Sequence, residues 1–244
     1  MPFTDTTRHI LPTDHIQNLV DYIRTPHPWV DTTYYELPVV IIFFCAAMFW
    51  VWAYIDTIRG IIKKKTIGVP VVAICLNFGY EVTAAFFFLP DMGKAVVFGY
   101  VGWLVLDLYI VIHAFRYGDK QIRNPYIKKN FKTLFLVGLV MAFTAEYLFM
   151  TNYDIPIAVF DAYIINLIMS VSFIYLVFVP GFEGNSLVTA WTKFLGTGLT
   201  SVAFLLHYHI PFLTTLYVGC AVFDIYYIYL LYQKRKGALA YAIR

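Results

Sequence analysis

Residues 37–65 read LPVVIIFFCAAMFWVWAYIDTIRGIIKKK, and this stretch decides the fold class. An apolar run from Leu37 to Ile58 is followed at once by Arg59, Lys63, Lys64 and Lys65. About 20 apolar residues match the hydrocarbon thickness of a bilayer. Backbone polar groups in lipid must be satisfied within the segment, so such a run reads as a membrane-spanning helix. The basic cluster behind it marks a cytosolic end.

The rest of the chain repeats the pattern. Of 244 residues, 60% are hydrophobic and only 14% charged, with a mean hydropathy of +0.68. Soluble domains carry about 25% charged residues. We therefore expect an all-α integral membrane protein, a bundle of seven transmembrane helices at roughly 37–58, 69–89, 95–115, 133–153, 156–179, 187–206 and 211–232. Pro38, Gly68, Pro70, Pro90, Gly93, Pro156, Pro180, Gly181, Gly184 and Pro211 punctuate the joints. Residues 1–36 form a polar N-terminal segment, 37–233 the membrane domain, and 234–244 a basic tail.

Fourteen of the 18 Lys and Arg follow the first, third and seventh spans. Arg8, Arg24 and Lys94 lie on the other side, and Lys193 falls within a span. This asymmetry predicts a lumenal or external N-terminus and a cytosolic C-terminus. In TDHIQNLVDYI (13–23), Ile16, Leu19, Val20 and Ile23 share one helical face, and Asp14 and Gln17 have capping-box spacing. This suits a short interfacial helix, with a disordered tail as the alternative. The polar start lacks the apolar core of a cleavable signal peptide. Cys45, Cys75 and Cys220 all sit in apolar segments, where packing is the expected role.

Five acids within the spans carry the functional question: Glu81, Asp107, Glu146, Asp161 and Asp224. A charge at the bilayer centre costs at least a few kcal/mol, so such residues face a bundle interior. Burial favours the neutral acid, and a neutral carboxyl can act as a general acid. The competing role for each is a hydrogen bond between helices. Glu81 and Asp224 lie at similar depth, which would let them face one cavity. Asn77 is one turn before Glu81 and is placed to orient its carboxyl. Tyr227 is one turn after Asp224; an aromatic face there would suit a developing carbocation, or simply pack. Lys193 either snorkels to the headgroups or pairs with a buried acid. Asn166 and Ser170, at i and i+4, would polarise a cavity wall or join helices. His207 and His209 alone make a weak metal signal, and His113 is expected near a loop.

These residues fall into a pattern. Asn77, Tyr80 and Glu81 match an Asn-x-x-Trp-Glu motif, and Asp224 with Tyr227 precedes the basic QKRKG (233–237). GNSLVTAWTKFLGT (184–197) matches Gly-x-Ser…Trp-x-Arg-apolar-Leu-Gly-Thr, with Trp191 and Lys193 in place. INLIMS (165–170) and GDKQIRNPYIKKN (118–130) complete the series. In this order the motifs resemble the membrane-bound terpene cyclases of fungal meroterpenoid and indole-diterpene pathways, the pyripyropene-cyclase-like family. Tyr80 in place of tryptophan and Lys193 in place of arginine mark a distant or bacterial branch.

The resemblance implies a compact seven-span enzyme of terpenoid secondary metabolism, of intramolecular lyase or isomerase type. It implies protonation of the terminal epoxide or alkene of a prenyl chain on an aromatic or polyketide head, followed by polyene cyclisation. It implies Glu81 and Asp224 as catalytic, with Asn77, Tyr80, Asp107, Glu146, Asn166, Trp191, Lys193 and Tyr227 binding substrate or supporting the site. No cofactor, no metal, no diphosphate ionisation, no nucleic acid and no obligate protein partner are expected. The partners are a hydrophobic prenylated substrate and the bilayer, in the endoplasmic reticulum of a eukaryote or the inner membrane of a bacterium. The alternative is a small seven-span metabolite transporter, which predicts an internal repeat that the chain does not display. A retinal protein needs a seventh-span lysine, and 212–232 has none.

Overall fold

The computed structural model describes residues 12–155 and 157–238, all of them helix, turn or loop with no strand among them. Arg8, Pro156 and Arg244, used above, lie outside the described residues. A short helix, α1 (Pro12–Arg24), is followed by α2 (Leu37–Lys64), α3 (Val71–Phe86) and α4 (Lys94–Tyr117). A 3-10 turn (Gly118–Gln121) and the small α5 (Pro125–Lys129) lead to α6 (Phe131–Tyr153), α7 (Val159–Val177), α8 (Leu187–His207) and α9 (Pro211–Arg235). Each expected span is therefore a helix, and the N-terminal segment also holds a helix, α1, where the short one was expected. It begins two residues before Asp14, and Gln17 donates to Asp21 at 2.9 Å, so Asp14 does not mark its start as the capping-box spacing suggested.

By length and composition, five helices among the described residues can cross a membrane: α2, α4, α6, α7 and α9. The other two expected spans differ from these for physical reasons. Helix α3 is apolar but has only 16 residues, about 24 Å at 1.5 Å per residue. Helix α8 has 21 residues, but Thr189, Thr192, Lys193, Thr197, Thr200 and Ser201 interrupt its apolar sequence.

Helix α3 lies at the centre, packed on α4, α6 and α7, while α2 packs on α8 and α9 closes against α7 and α8. Close approach of α3 to α6 depends on Gly79: a Cβ there would meet the backbone of Phe143 at 2.9 Å. Small residues at helix contacts are how lipid-embedded helices gain dispersion contacts. Gln121 holds the α2–α3 turn, donating to the carbonyls of Ile67 (2.9 Å) and Val69 (2.6 Å) and accepting from the Val71 amide. At the opposite face Gly93, with φ of 99°, lets the α3–α4 loop pass within 2.8 Å of the Trp29 carbonyl at the Cβ position. Lys94 donates to the carbonyls of Ile23 and Thr25, tying the end of α1 to the start of α4.

Candidate active site

Between α2, α3, α4, α7 and α8 lies a cavity with about 800 Å³ of non-atom space, open solvent included. Glu81, the eleventh residue of α3, opens into it. The residue is only 6% exposed, and its Oε2 is buried without a hydrogen-bond partner among the described residues. Rings make most of the wall: Trp50 and Tyr54 from α2, Tyr80 from α3, Tyr100 and Trp103 from α4, Tyr163 from α7. Asn166 and Thr197 add a polar strip, joined by a 3.3 Å hydrogen bond.

The ceiling is a strained turn. Ile157 and Ala158 adopt φ of 76° and 55°, a region that costs non-glycine residues about 1–3 kcal/mol each. Two cavity tyrosines hold this turn from inside: Tyr100 donates to the Ile157 carbonyl at 3.1 Å, and Tyr80 lies 3.5 Å from the Ala158 carbonyl and 3.1 Å from the Tyr100 hydroxyl. Asp154 holds it from the other side, accepting from the amides of Ile155, Phe160 and Asp161. It thereby caps α7 from a distance, since Ala158 at the N-cap has no side chain to do so. Burial outweighs those three hydrogen bonds and pushes the Asp154 carboxyl up to about 6.

A second, smaller cavity of about 460 Å³ adjoins the first and shares Trp50, Tyr54 and Asn77 with it. Asn77 does not orient Glu81 as its spacing suggested. Its Nδ2 donates instead to Asp107 Oδ2 and to the Tyr54 hydroxyl, both at 2.7 Å. Asp107 and Asn77 thus stand together on the wall of the second cavity. The carboxyl at i+4 from Asn77 is left without this donor because Asp107, from a neighbouring helix, is closer.

Asp224 is likewise not on the wall of either cavity, so it does not share one with Glu81. It is 2% exposed and receives the Lys193 ammonium on both oxygens, at 2.7 and 2.8 Å. Lys193 also donates to Ser170 Oγ at 2.8 Å and is 1% exposed. Of the two alternatives for this lysine, pairing holds and snorkelling does not. The triad joins α7, α8 and α9, and Lys193 is its member that reaches the second cavity.

The remaining expected site residues divide by place. Tyr80 and Asn166 line the first cavity. Tyr227 is buried behind it, packed on Phe173 with ring centroids 5.0 Å apart. Glu146 is buried on α6, beside the Asp161 side chain. Trp191 faces outward, 42% exposed, with its indole 3.3 Å from the Tyr232 hydroxyl. His207 lies 3.6 Å from Glu36, and His113 accepts or donates along its own helix to the Tyr109 carbonyl. The sequence does not single out Trp50, Tyr54, Tyr100, Trp103 or Tyr163; what signal it holds is a composition of 20 Tyr and 22 Phe, more than the two membrane interfaces need. Asp56 also went uncounted among the span acids; it accepts from Ser186 and Thr189 at the basic end of the bundle.

Comparison with known proteins identifies a family. A family model described as Pyr4-like transmembrane terpene cyclases matches residues 30–236. A Pyr4-family terpene cyclase, mfmH of Annulohypoxylon moriforme, is 29% identical over 114 residues, 45% of each chain. The terpene cyclase esdpB of Penicillium shearii is 25% identical over 41% of this chain and 40% of that protein. A third, macJ of Penicillium terrestre, is 24% identical over 78% of this chain and 74% of its own length. The chain thus spans less than half the length of the first two relatives it matches. No solved structure matches it. A carboxyl in an aromatic cavity, inside a helical bundle matched by that family model over nearly its whole length, places this chain among the Pyr4-like transmembrane terpene cyclases.

Proposed function

We propose that the protein cyclises a prenyl chain by acid initiation, with Glu81 as the proton donor. The observation that supports this is the buried, unpartnered Glu81 oxygen opening into a cavity lined by eight aromatic rings, the six named above with Phe43 and Phe204. Such surroundings favour the acid form of a carboxyl, and the rings stabilise a travelling carbocation by cation–π attraction. The Glu81 proton adds to a terminal epoxide or alkene; ring closures carry the charge along the chain; loss of a proton or capture of water ends the cascade. Asp224 acts one step back, neutralising Lys193 so that the second cavity carries no bare ammonium.

In this reading all seven long helices span the bilayer. The N-terminus is lumenal and the basic ends of α2, α4 and α9 are cytosolic, in the endoplasmic reticulum of a eukaryote or the inner membrane of a bacterium. Cysteines placed beside Lys64 and Lys128 should label only from the cytosolic side; labelling from outside would reverse the orientation.

The functional experiment supplies membranes containing the protein with farnesyl-aromatic and farnesyl-polyketide compounds, each as terminal alkene and terminal epoxide. A polycyclic product of unchanged mass, or heavier by one water where capture ends the cascade, is expected from at least one, and none from Glu81→Gln membranes. Equal product from wild type and Glu81→Gln would remove Glu81 as the donor.

A further inference from the structure

Three open spaces follow one another from the basic end of the bundle to Glu81. The outermost is a cleft of about 730 Å³ between the end of α2 and the start of α8, lined by Asp56, Arg59, Lys63, Lys64 and Ser186. Thr57 and Thr189 line both this cleft and the second cavity. Trp50, Tyr54 and Asn77 line both the second cavity and the first. Both junctions therefore carry hydrogen-bonding side chains: two threonines at the outer one, an asparagine and a tyrosine at the inner.

The depth of the cleft fits a connection to water. Helix α2 has 28 residues, about 42 Å at 1.5 Å per residue, against a hydrocarbon core of about 30 Å. Its last two turns, with Arg59, Lys63 and Lys64, therefore stand beyond the hydrocarbon. Further in, the second cavity is lined by Asp107, Asn77, Tyr54 and Lys193, and a cavity with several polar partners is able to hold water. Every titratable group that faces it is accounted for: Asp107 from α4, Tyr54 from α2, and Lys193 from α8, whose charge is balanced by Asp224 from α9. At the far side of the first cavity, by contrast, Phe43, Val159 and Phe204 close the wall with apolar groups.

We propose that this succession is a hydrated proton-return route from the basic face to Glu81, with Asp107 as its intermediate carrier. The inference rests on Glu81 being the acid. Cyclisation is neutral overall, because one proton enters the chain and one leaves the closing cation or the captured water. The donor is nevertheless left as a carboxylate after each cycle. The proton that restores it moves from water in the cleft past Thr57 and Thr189 to the Asp107 carboxyl, then across the Asn77–Tyr54 junction to Glu81. Each transfer breaks one O–H bond and forms another, and no other reactant is needed. Asp107 is thus a positioning residue that acts through Glu81.

The test needs no substrate. In membranes of the full chain, the infrared carbonyl band of the protonated Glu81 carboxyl is identified by its absence from Glu81→Gln, and its shift in D2O gives the exchange rate. We expect exchange at least about 10-fold slower in Asp107→Asn and in Thr57→Leu, and slower in the near-isosteric Thr189→Val, with the band itself retained as evidence that each variant folds. A Glu81 band that exchanges at the wild-type rate in Thr189→Val and in either of the other two overturns the route while leaving Glu81 as the acid. No Glu81 band in the wild type overturns both.

Discussion

Glu81 and Asp224 are both deep, both within short motifs and both nearly inaccessible, yet their surroundings are opposites. Asp224 shares the single ammonium of Lys193 between its two oxygens, with a serine beyond it. Glu81 has a cavity in front of it and no donor for Oε2. A carboxylate whose charge is matched in place stabilises an arrangement of helices; a carboxyl left without a partner has its proton free for chemistry. The contrast separates the two roles that burial alone leaves merged.

Substitution at Glu81 should produce the larger effect on rate. Glu81→Gln removes the acidic proton and keeps the shape, and loss of a general acid costs about 10²–10⁴-fold. Its melting temperature in detergent should not fall, because no hydrogen bond to Oε2 is lost. A variant that loses activity and melting temperature together would make Glu81 a structural residue like Asp224.

Asp224→Asn should show the reverse balance. It leaves the Lys193 ammonium buried and unmatched, and breaking a buried pair by removing one partner costs about 3–5 kcal/mol. Thermal unfolding should register this directly. The double variant Lys193→Met/Asp224→Leu should recover most of the loss, since apolar replacement of a buried pair is often neutral or stabilising. If the double variant is as stable as wild type yet inactive, the pair serves the chemistry as well as the bundle.

Much of this organisation is legible in the sequence, and the limits have a physical origin. The apolar runs and their Pro and Gly joints place every long helix to within a few residues, except that α2 runs on through its basic turn to Lys64 and α3 stops at Phe86. Glu81 stands out because an acid in lipid is costly wherever it points. Partners are another matter. Around a lipid-embedded helix both the inner and the outer faces are apolar, so periodicity does not tell them apart. Trp50 and Trp103 face the cavity while Trp191 faces outward, and nothing in their neighbours' hydropathy distinguishes them. Asn77 serving Asp107, and Lys193 serving Asp224, are contacts between distant helices that spacing along one helix cannot supply.

Two smaller effects sharpen the comparison. Trp103→Leu should slow turnover by about 10-fold, because a cation–π contact out of water is worth about 1–2 kcal/mol, while leaving the folded protein intact; an unchanged rate would mean the cation never passes that ring. Asp154 is an intermediate case, a carboxyl held by backbone amides rather than by a lysine or a cavity. Its value rises from 3.8 to about 6 on folding. Its contribution is therefore fully present below about 3.8 and is lost as pH rises through about 6. Relative to Asp154→Asn, the wild type should lose on the order of 1 kcal/mol between pH 4 and pH 7 after allowance for screening. A difference that grows with pH instead would show that the three amides outweigh burial.

The shortness of α3 has a consequence for its neighbours. The helix that carries Glu81 is about 6 Å shorter than an average hydrocarbon core. It cannot stretch, because Gln121 fixes the turn before it and Gly93 seats the loop after it against the N-terminal segment. Packed at the centre on α4, α6 and α7, it meets those helices rather than lipid over most of its length. The depth of Glu81 is therefore set by two anchored turns and the helices around them, not by the thickness of the surrounding bilayer.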